Sequence, residues 1–248
     1  MFYIPKYFSF LILFSLSSLL FGQSLSAIYK ITYKTGRYKS LDLDAIKDEK
    51  MKHQIKKVSE IEGLMEYELF FNDGISVFKL SQNNQLDKNS PYVIIAESFK
   101  ETVFATKKSE ENIRFTIHNS EGFSSTSKQR KKGWIITGES KIIKGYTCYK
   151  AVQQIQLLHP LTKEKNQYNA VVWFTYDIPY PFGPHLLNGL PGIVLEGSHN
   201  GESYYTATNI TNVANQNIQI ALIKGKEISE AQYTTLLVAN FRKRLYKE

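Results

Sequence analysis

The side chains that stand out for possible chemistry are five histidines, one cysteine and a pair of carboxylates. The carboxylates, Asp177 and Glu196, bracket a segment rich in Pro and Gly, and folding could bring them together with a histidine such as His185 or His199. Carboxylates and an imidazole are the usual groups of acid–base hydrolysis. In a simpler interpretation, Asp177 bonds to amides at a strand end and Glu196 points to solvent.

Other reaction types lack their characteristic spacing. No histidine has a second histidine or a carboxylate at i+3 or i+4 within a helix, as the site of a zinc hydrolase would show. Cys148 lies in a strand pattern rather than at a helix N-terminus that would lower its pKa, so a buried small residue is the simpler interpretation. No G-x-S-x-G motif or phosphate-binding loop occurs. We therefore expect no catalytic residues, no metal and no cofactor.

The first residues predict export. Residues 1–22 combine one charge, Lys6, with an apolar run that serines interrupt, which is typical of a secretory signal peptide rather than a membrane anchor. Residues 23–248 contain no linker-like tract and are expected to form a single β-rich domain without a transmembrane segment. The formal net charge is +8, but nucleic-acid binding has no supporting motif and conflicts with export. The expected location is periplasmic or envelope-associated.

Alternation of apolar and polar residues predicts a mainly β (α+β) fold. We expect an antiparallel twisted sheet or open half-barrel of about 8–10 strands. One helix is predicted near residues 42–60 and a C-terminal helix near residues 229–246, where Ser229 and Gln232 form a capping-box pattern. Residues 171–174 are apolar on both faces, which favours a central strand.

Two hairpins have predictable turns. In residues 64–80, Asp73-Gly74 predicts a type I′ turn. That turn sets Leu69 opposite Phe78 on one face and Glu68 opposite Lys79 on the other. In the later hairpin, an Asn200-Gly201 turn would set Glu196 opposite Tyr205.

Between two strands, residues 173–195 form a rigid, irregular connection. Leu190 is an apolar anchor between Gly189 and Gly192, which can both adopt positive φ. The segment is either a buried connector or a pre-shaped surface loop that presents a docking patch of Tyr180, Phe182, His185 and Leu190. Its candidate binding residues are Asp177, Pro179, Gly183, Pro184, Gly189, Leu190, Pro191 and Gly192.

The hexapeptide at residues 189–194, Gly-Leu-Pro-Gly-Ile-Val, resembles the motif that names the GLPGLI family of exported envelope proteins. Supporting patterns lie in order around it: KIIKGYTCYKA at residues 141–151, Trp-Phe-Thr at 173–175, Asp-Ile-Pro at 177–179 and Gly-Pro at 183–184. Residues 72–78 resemble the N-terminal hairpin of that family. The clear match covers residues 141–196.

This resemblance implies export and a place beside outer-membrane or envelope transport proteins, without an assigned reaction. Together with an aromatic content of 13%, it favours a non-catalytic protein that binds a protein partner, such as an envelope transport protein, or an apolar ligand. The alternatives are an envelope hydrolase that uses Asp177 and Glu196 with a histidine, and a purely structural scaffold.

Overall fold

The computed structural model of the chain describes residues 28–37, 48–82, 102–106, 110–128, 133–158, 165–201, 203–213 and 223–246. Two predicted features lie outside these residues: the signal peptide at 1–22 and the start of the first predicted helix, at 42–47.

Two helices and twelve strands are present in the described part of the chain. The helices are α1 (Glu49–Leu64) and α2 (Glu230–Tyr246). The strands are β1 (Tyr29–Arg37), β2 (Glu66–Phe71), β3 (Ile75–Leu80), β4 (Thr102–Thr106), β5 (Glu111–His118), β6 (Glu121–Lys128), β7 (Ile135–Ile143), β8 (Tyr146–Leu158), β9 (Lys165–Thr175), β10 (Ile193–Ser198), β11 (Ser203–Asn212) and β12 (Lys226–Glu227). They form one sheet in the order β12-β6-β5-β4-β3-β2-β1-β11-β10-β9-β8-β7.

This architecture confirms the prediction of a mainly β protein built on an open, largely antiparallel sheet. The sheet has more strands than the predicted 8–10. One addition is β12, a two-residue strand that no alternation marks, which pairs in parallel with β6 at one edge. At the other edge lies β7, so the described sheet does not close into a barrel.

The C-terminal helix has the predicted cap. The Gln232 side chain accepts a hydrogen bond from the Ser229 amide at 3.0 Å, and the Ser229 hydroxyl accepts one from the Gln232 amide at 3.3 Å. The helix is held against β5, where the Asn240 side-chain amide donates to the Ile117 carbonyl at 3.1 Å. Neither described helix is both long and apolar enough to cross a membrane.

The hairpin of β2 and β3 has the predicted register, with Leu69 opposite Phe78. The predicted type I′ turn is wrong, because neither Asp73 nor Gly74 has a positive φ. Instead, the side-chain oxygen of Asn72 accepts a hydrogen bond from the Gly74 amide at 2.9 Å. This Asx turn closes the same two-residue loop and therefore preserves the register.

The hairpin of β10 and β11 differs from its predicted register by one residue. Glu196 lies opposite Thr206 instead of Tyr205. The loop is one residue longer than a two-residue Asn-Gly turn, and the Ser198 hydroxyl holds it by accepting a hydrogen bond from the Gly201 amide at 2.8 Å. Because side chains alternate between faces, this shift places a threonine rather than an aromatic ring beside Glu196.

Most of the apolar core lies on one side of the sheet and includes the segment between β9 and β10. Phe182 of that segment packs with core residues of β1 and β2, such as Ile31 and Leu69. Leu187 and Leu190 pack in a second cluster with residues of β8, β9 and β10. The segment that joins β9 to β10 therefore fills the interior instead of running over the surface.

Asn188, within the same segment, ties distant strands together. Its side-chain amide donates to the Asn112 side chain on β5 at 2.8 Å, and its side-chain oxygen accepts from the Gly183 amide at 2.9 Å. Its backbone carbonyl accepts a hydrogen bond from the Trp134 indole at 3.0 Å. Since β5 lies several strands away from β9 and β10 in the sheet order, the sheet must curl around this segment.

Candidate functional site

Residues 176–192, here called the crossover, need glycine for space as much as for conformation. Gly189 has the expected positive φ of 91°. Gly192 does not, and a Cβ atom there would lie 1.9 Å from the carbonyl oxygen of Thr175. At Gly183 a Cβ atom would lie 2.2 Å from the Leu187 carbonyl oxygen. The Pro/Gly pattern thus reflects a chain path that packs too closely for side chains.

The candidate binding residues divide into buried and exposed groups. Leu190 is 2% exposed and Phe182 is fully buried, so both belong to the packed interior. The other buried candidates are Gly183, Pro184 and Gly192, and Gly189 is half-buried. The exposed candidates are Asp177, Pro179 and Pro191.

His185 and His199 are brought into contact. The Nδ1 atom of His185 lies 3.2 Å from Nε2 of His199, and the two rings are almost perpendicular. One of these nitrogens must carry the proton for a hydrogen bond to form. No group of three or more His, Cys, Asp or Glu residues is arranged to hold a metal ion in the described residues. The pair joins the crossover to the loop after β10.

Glu196 is held in an ordered polar cluster. One carboxylate oxygen accepts a hydrogen bond from Lys141 Nζ at 2.7 Å, and the other accepts one from the Thr206 hydroxyl at 3.4 Å. Its side chain is only 13% exposed, so the interpretation that it points to solvent is wrong. Lys141 Nζ also lies 4.4 Å from the centre of the Trp173 ring, and Lys150 Nζ lies 6.0 Å from it. These four residues, Trp173, Lys141, Lys150 and Glu196, are here called the Trp173 cluster.

Glu196 and the crossover histidine lie on different sides of β10. A Cβ atom on the next residue, Gly197, would meet the Leu187 side chain of the crossover at 2.6 Å. Because successive strand residues point to opposite faces, the Glu196 side chain points away from the crossover, which carries His185. Asp177 is exposed just beyond the end of β9, where its amide donates to the Thr175 hydroxyl at 3.2 Å.

The Trp173 cluster belongs to a longer line of side chains across the sheet. Directly opposed residues on β8, β9, β10, β11, β1 and β2 form what we call the cross-strand row: Lys150, Trp173, Glu196, Thr206, Lys34 and Glu66. All six are at least partly accessible to solvent. Each of them has a neighbour in the chain that is 0–1% exposed, for example Phe174, Ala207 and Tyr33. Along this row, the two sides of the sheet therefore differ sharply in polarity.

A second cluster on the polar side contains the same kinds of residue. Lys30 Nζ and Lys79 Nζ lie 5.9 and 5.2 Å from the centre of the Phe70 ring, and Lys30 pairs with Glu68 at 3.4 Å. These residues are here called the Phe70 cluster. Phe70 and Glu68 are each 8% exposed.

Cys148 is buried next to the Trp173 cluster, in agreement with the simpler interpretation of the sequence. Burial raises the pKa of its thiol to about 11, and this outweighs the lowering effects of a backbone hydrogen bond at Ile143 and of the Lys141 charge. The thiol is therefore neutral near pH 7 and is a weak nucleophile.

Sequence reasoning misses Lys141, Lys150, Trp173 and Thr206. The sequence places Trp173 on a strand that is apolar on both faces, and the one-residue register difference in the β10–β11 hairpin hides Thr206. The detectable signal is the pairing of strands: Lys150 and Glu196 both lie directly opposite Trp173.

The fold and site define a class of large, single-sheet β domains that curl around an internal Pro/Gly connection. Within that class, the family described as N-glycanase peptide, N-terminal domain, matches residues 72–235, about two thirds of the chain. The chain belongs to this family. The matched range includes the Trp173 cluster and excludes most of the Phe70 cluster. Export, which the leader sequence predicts, agrees with this membership.

Solved structures support the same fold. Two crystal structures of PNGF-II, in space groups C2 and P21, are each 18% identical to this chain with a TM-score of 0.58. Both alignments cover 87% of this chain, and they cover 33% and 34% of the PNGF-II chains. The chain thus spans about a third of the length of those proteins, and the likeness concerns the fold. A comparison with curated proteins gives no match.

These findings correct two expectations. Assignment to the GLPGLI family is wrong, because the family match over residues 72–235 includes the hexapeptide itself. The Pro/Gly pattern behind that assignment follows from close packing at Gly183 and Gly192. The expectation of a non-catalytic protein that binds a protein partner or an apolar ligand is overturned by the same family match. The apolar crossover residues Phe182 and Leu190, which suggested docking, are buried.

Proposed function

We propose that this chain takes part in the hydrolytic processing of N-linked glycans. Its membership of the N-glycanase N-terminal-domain family supports this activity. Of the alternatives that the sequence left open, the proposal favours the hydrolase, with the reacting carboxylate on the polar side of the sheet. A periplasmic or envelope location is part of the proposal.

The observation that carries the proposal is the arrangement of Glu196. Its two carboxylate oxygens have separate partners, Lys141 and Thr206, so the orientation of the group is fixed. Hydrolysis of a glycan–peptide bond needs a group that takes a proton from water and returns one to the departing nitrogen. A partly buried, oriented carboxylate suits that role, and the Lys141 ammonium can stabilise negative charge that develops on a substrate oxygen.

The test measures release of a labelled N-glycan from a glycopeptide by the full chain and by Glu196→Gln. Because acid–base groups contribute on the order of 100-fold or more to rate, we expect Glu196→Gln to reduce release by at least about 100-fold. Glu68→Gln is the matched control, since Glu68 is also buried and paired with a lysine. It should retain wild-type release per folded molecule.

Two results would contradict this assignment. If the wild-type chain releases no glycan, the proposed function fails. If Glu196→Gln and Glu68→Gln lose activity equally while both remain folded, the activity does not depend on the position of Glu196. Circular dichroism of each variant establishes the folded fraction.

A further inference from the structure

The cross-strand row continues well beyond the proposed reaction group. Its six residues occupy six adjacent strands, which are spaced about 4.8 Å apart, so the row extends over about 24 Å. One aromatic side chain, Trp173, lies within it, between Lys150 and Glu196. A row of this length is larger than a single reaction centre requires.

Donors and acceptors are both available along this surface. Lys34 pairs with Glu66 at 3.5 Å, Lys141 pairs with Glu196 at 2.7 Å, and Lys150 pairs with Glu139 at 2.8 Å. Three ammonium groups and three carboxylates leave these pairs without net charge. Thr206 adds a hydroxyl, which both donates and accepts hydrogen bonds.

This chemistry discriminates between classes of ligand. A nucleic acid or another polyanion is bound through an excess of lysine and arginine, which these balanced pairs do not supply. An apolar ligand requires a contiguous apolar patch, and charged groups interrupt this surface. A neutral oligosaccharide fits better, because its hydroxyl groups both donate and accept and its ring C–H faces can pack on an indole.

We propose that the cross-strand row is a subsite for the sugar units of an N-linked glycan, with Trp173 as the surface on which one sugar ring packs. This inference rests on the proposed function and names where its substrate is held. The Lys141 ammonium lies over the Trp173 ring. When a sugar binds, the flexible alkyl chain of Lys141 shifts along the ring, while its ammonium keeps its pair with Glu196.

The chain has two tryptophans, so binding at this site can be followed by tryptophan fluorescence. Trp134 precedes β7 and contacts the crossover, because its indole donates a hydrogen bond to the Asn188 carbonyl. In a Trp134→Phe variant, Trp173 is the sole indole reporter. Titration with a purified, peptide-free biantennary N-glycan should shift its fluorescence emission and reach saturation. In the reciprocal Trp173→Phe variant, Trp134 should give no response.

Calorimetry with the same oligosaccharide provides the second measurement. We expect Trp173→Ala to weaken binding at least about tenfold, and Lys150→Gln to weaken it several-fold. Trp173→Phe, which retains an aromatic ring, should recover part of the affinity. Lys79→Gln is the matched control for charge, because Lys79 lies over the Phe70 ring, and it should leave the Kd unchanged. A size-matched glucan tests whether binding is selective for the N-glycan.

The outcomes separate this inference from the proposed function. If the N-glycan binds but Trp173 does not respond and Trp173→Ala keeps the wild-type Kd, the row is not the subsite, although glycan processing stands. Glycan release without detectable binding at the row leads to the same conclusion. If the chain neither binds nor releases the glycan, both proposals fail. Should Trp173→Ala not fold, the Lys150→Gln and Trp173→Phe variants decide the question.

Discussion

The Trp173 and Phe70 clusters combine the same kinds of residue on the same side of the sheet. In each cluster two lysines approach an aromatic ring, and one of those lysines pairs with the glutamate of the cluster. The ion pair is 2.7 Å long in the Trp173 cluster and 3.4 Å long in the Phe70 cluster. Trp173 is half-buried, whereas Phe70 is only 8% exposed.

This difference distinguishes an aromatic residue that serves to pack the sheet from one that is able to contact a ligand. Phe70 has no polar atom and little accessible surface, so its lysines mainly cover it and keep their ammonium groups near solvent. Trp173 packs against the core but is only half-buried, it carries an N–H group, and it lies inside the family-matched range. Residue types alone therefore do not identify a site. The exposure of the aromatic residue distinguishes the two clusters.

The largest expected difference between the clusters is in stability. Phe70→Ala removes a buried ring and should lower the free energy of unfolding by about 3–4 kcal/mol. Trp173→Ala removes a ring that is already partly hydrated, so its loss should be smaller, below about 2 kcal/mol. Chemical denaturation of both variants measures the two values. Equal losses would mean that Trp173 is packed as tightly as Phe70, which would remove the basis of the comparison.

The second prediction concerns the access of solvent to the sheet beneath the Trp173 cluster. The pKa of the Cys148 thiol is raised to about 11, above the ordinary value of 9.0 that applies in the unfolded chain. Because the folded state retains the proton more strongly, the neutral thiol contributes to stability. That contribution is complete below pH 9 and is lost as the pH rises to 11. The expected loss is about 2–3 kcal/mol.

Because tyrosines and lysines also titrate above pH 9, the measurement uses Cys148→Ala as its reference. The difference in unfolding free energy between the two proteins should decrease from pH 8.5 to pH 11. A constant difference would show that the thiol is hydrated and that water reaches beneath Lys141. At pH 8, the native thiol should also react much more slowly with an alkylating reagent than the unfolded thiol.

The two clusters also differ in how far the sequence predicts them. For the Phe70 cluster, the hairpin at residues 64–80 predicts Glu68 opposite Lys79, and the structure has that pair. The predicted register is correct despite a wrong turn type, because Asn72 closes a loop of the same length. Local turn chemistry is sufficient there, since both strands are adjacent in the chain.

For the Trp173 cluster, local signals are insufficient. Its members come from β7, β8, β9 and β10, and their meeting depends on several registers at once. A bulge in β10 separates the partners of Val194 and Glu196, and the following loop shifts Thr206 into place. Apolar composition at residues 171–174 also conceals the accessible side of Trp173. An error of one residue in a strand register moves every side chain of that strand to the opposite face of the sheet. A site built from several strands is therefore the hardest part to predict from the sequence.

The smallest expected effect is the coupling within each ion pair. Double-mutant cycles with Lys→Met and Glu→Gln substitutions isolate the pairwise term. Lys141–Glu196 should couple by about 1 kcal/mol, because the pair is short and partly buried. Lys30–Glu68 should couple by about half as much, because its atoms lie 3.4 Å apart.

The exposed pair of Lys57 and Glu60 on α1, 3.0 Å apart, is the control, and its coupling should be the weakest and the most sensitive to salt. This ordering tests solvent access directly, because the control pair is shorter than Lys30–Glu68 but more exposed. If coupling followed distance alone, the α1 pair would exceed the Lys30 pair. That result would mean that the polar side of the sheet is uniformly hydrated. The environment of Glu196 would then be the same as that of a surface carboxylate.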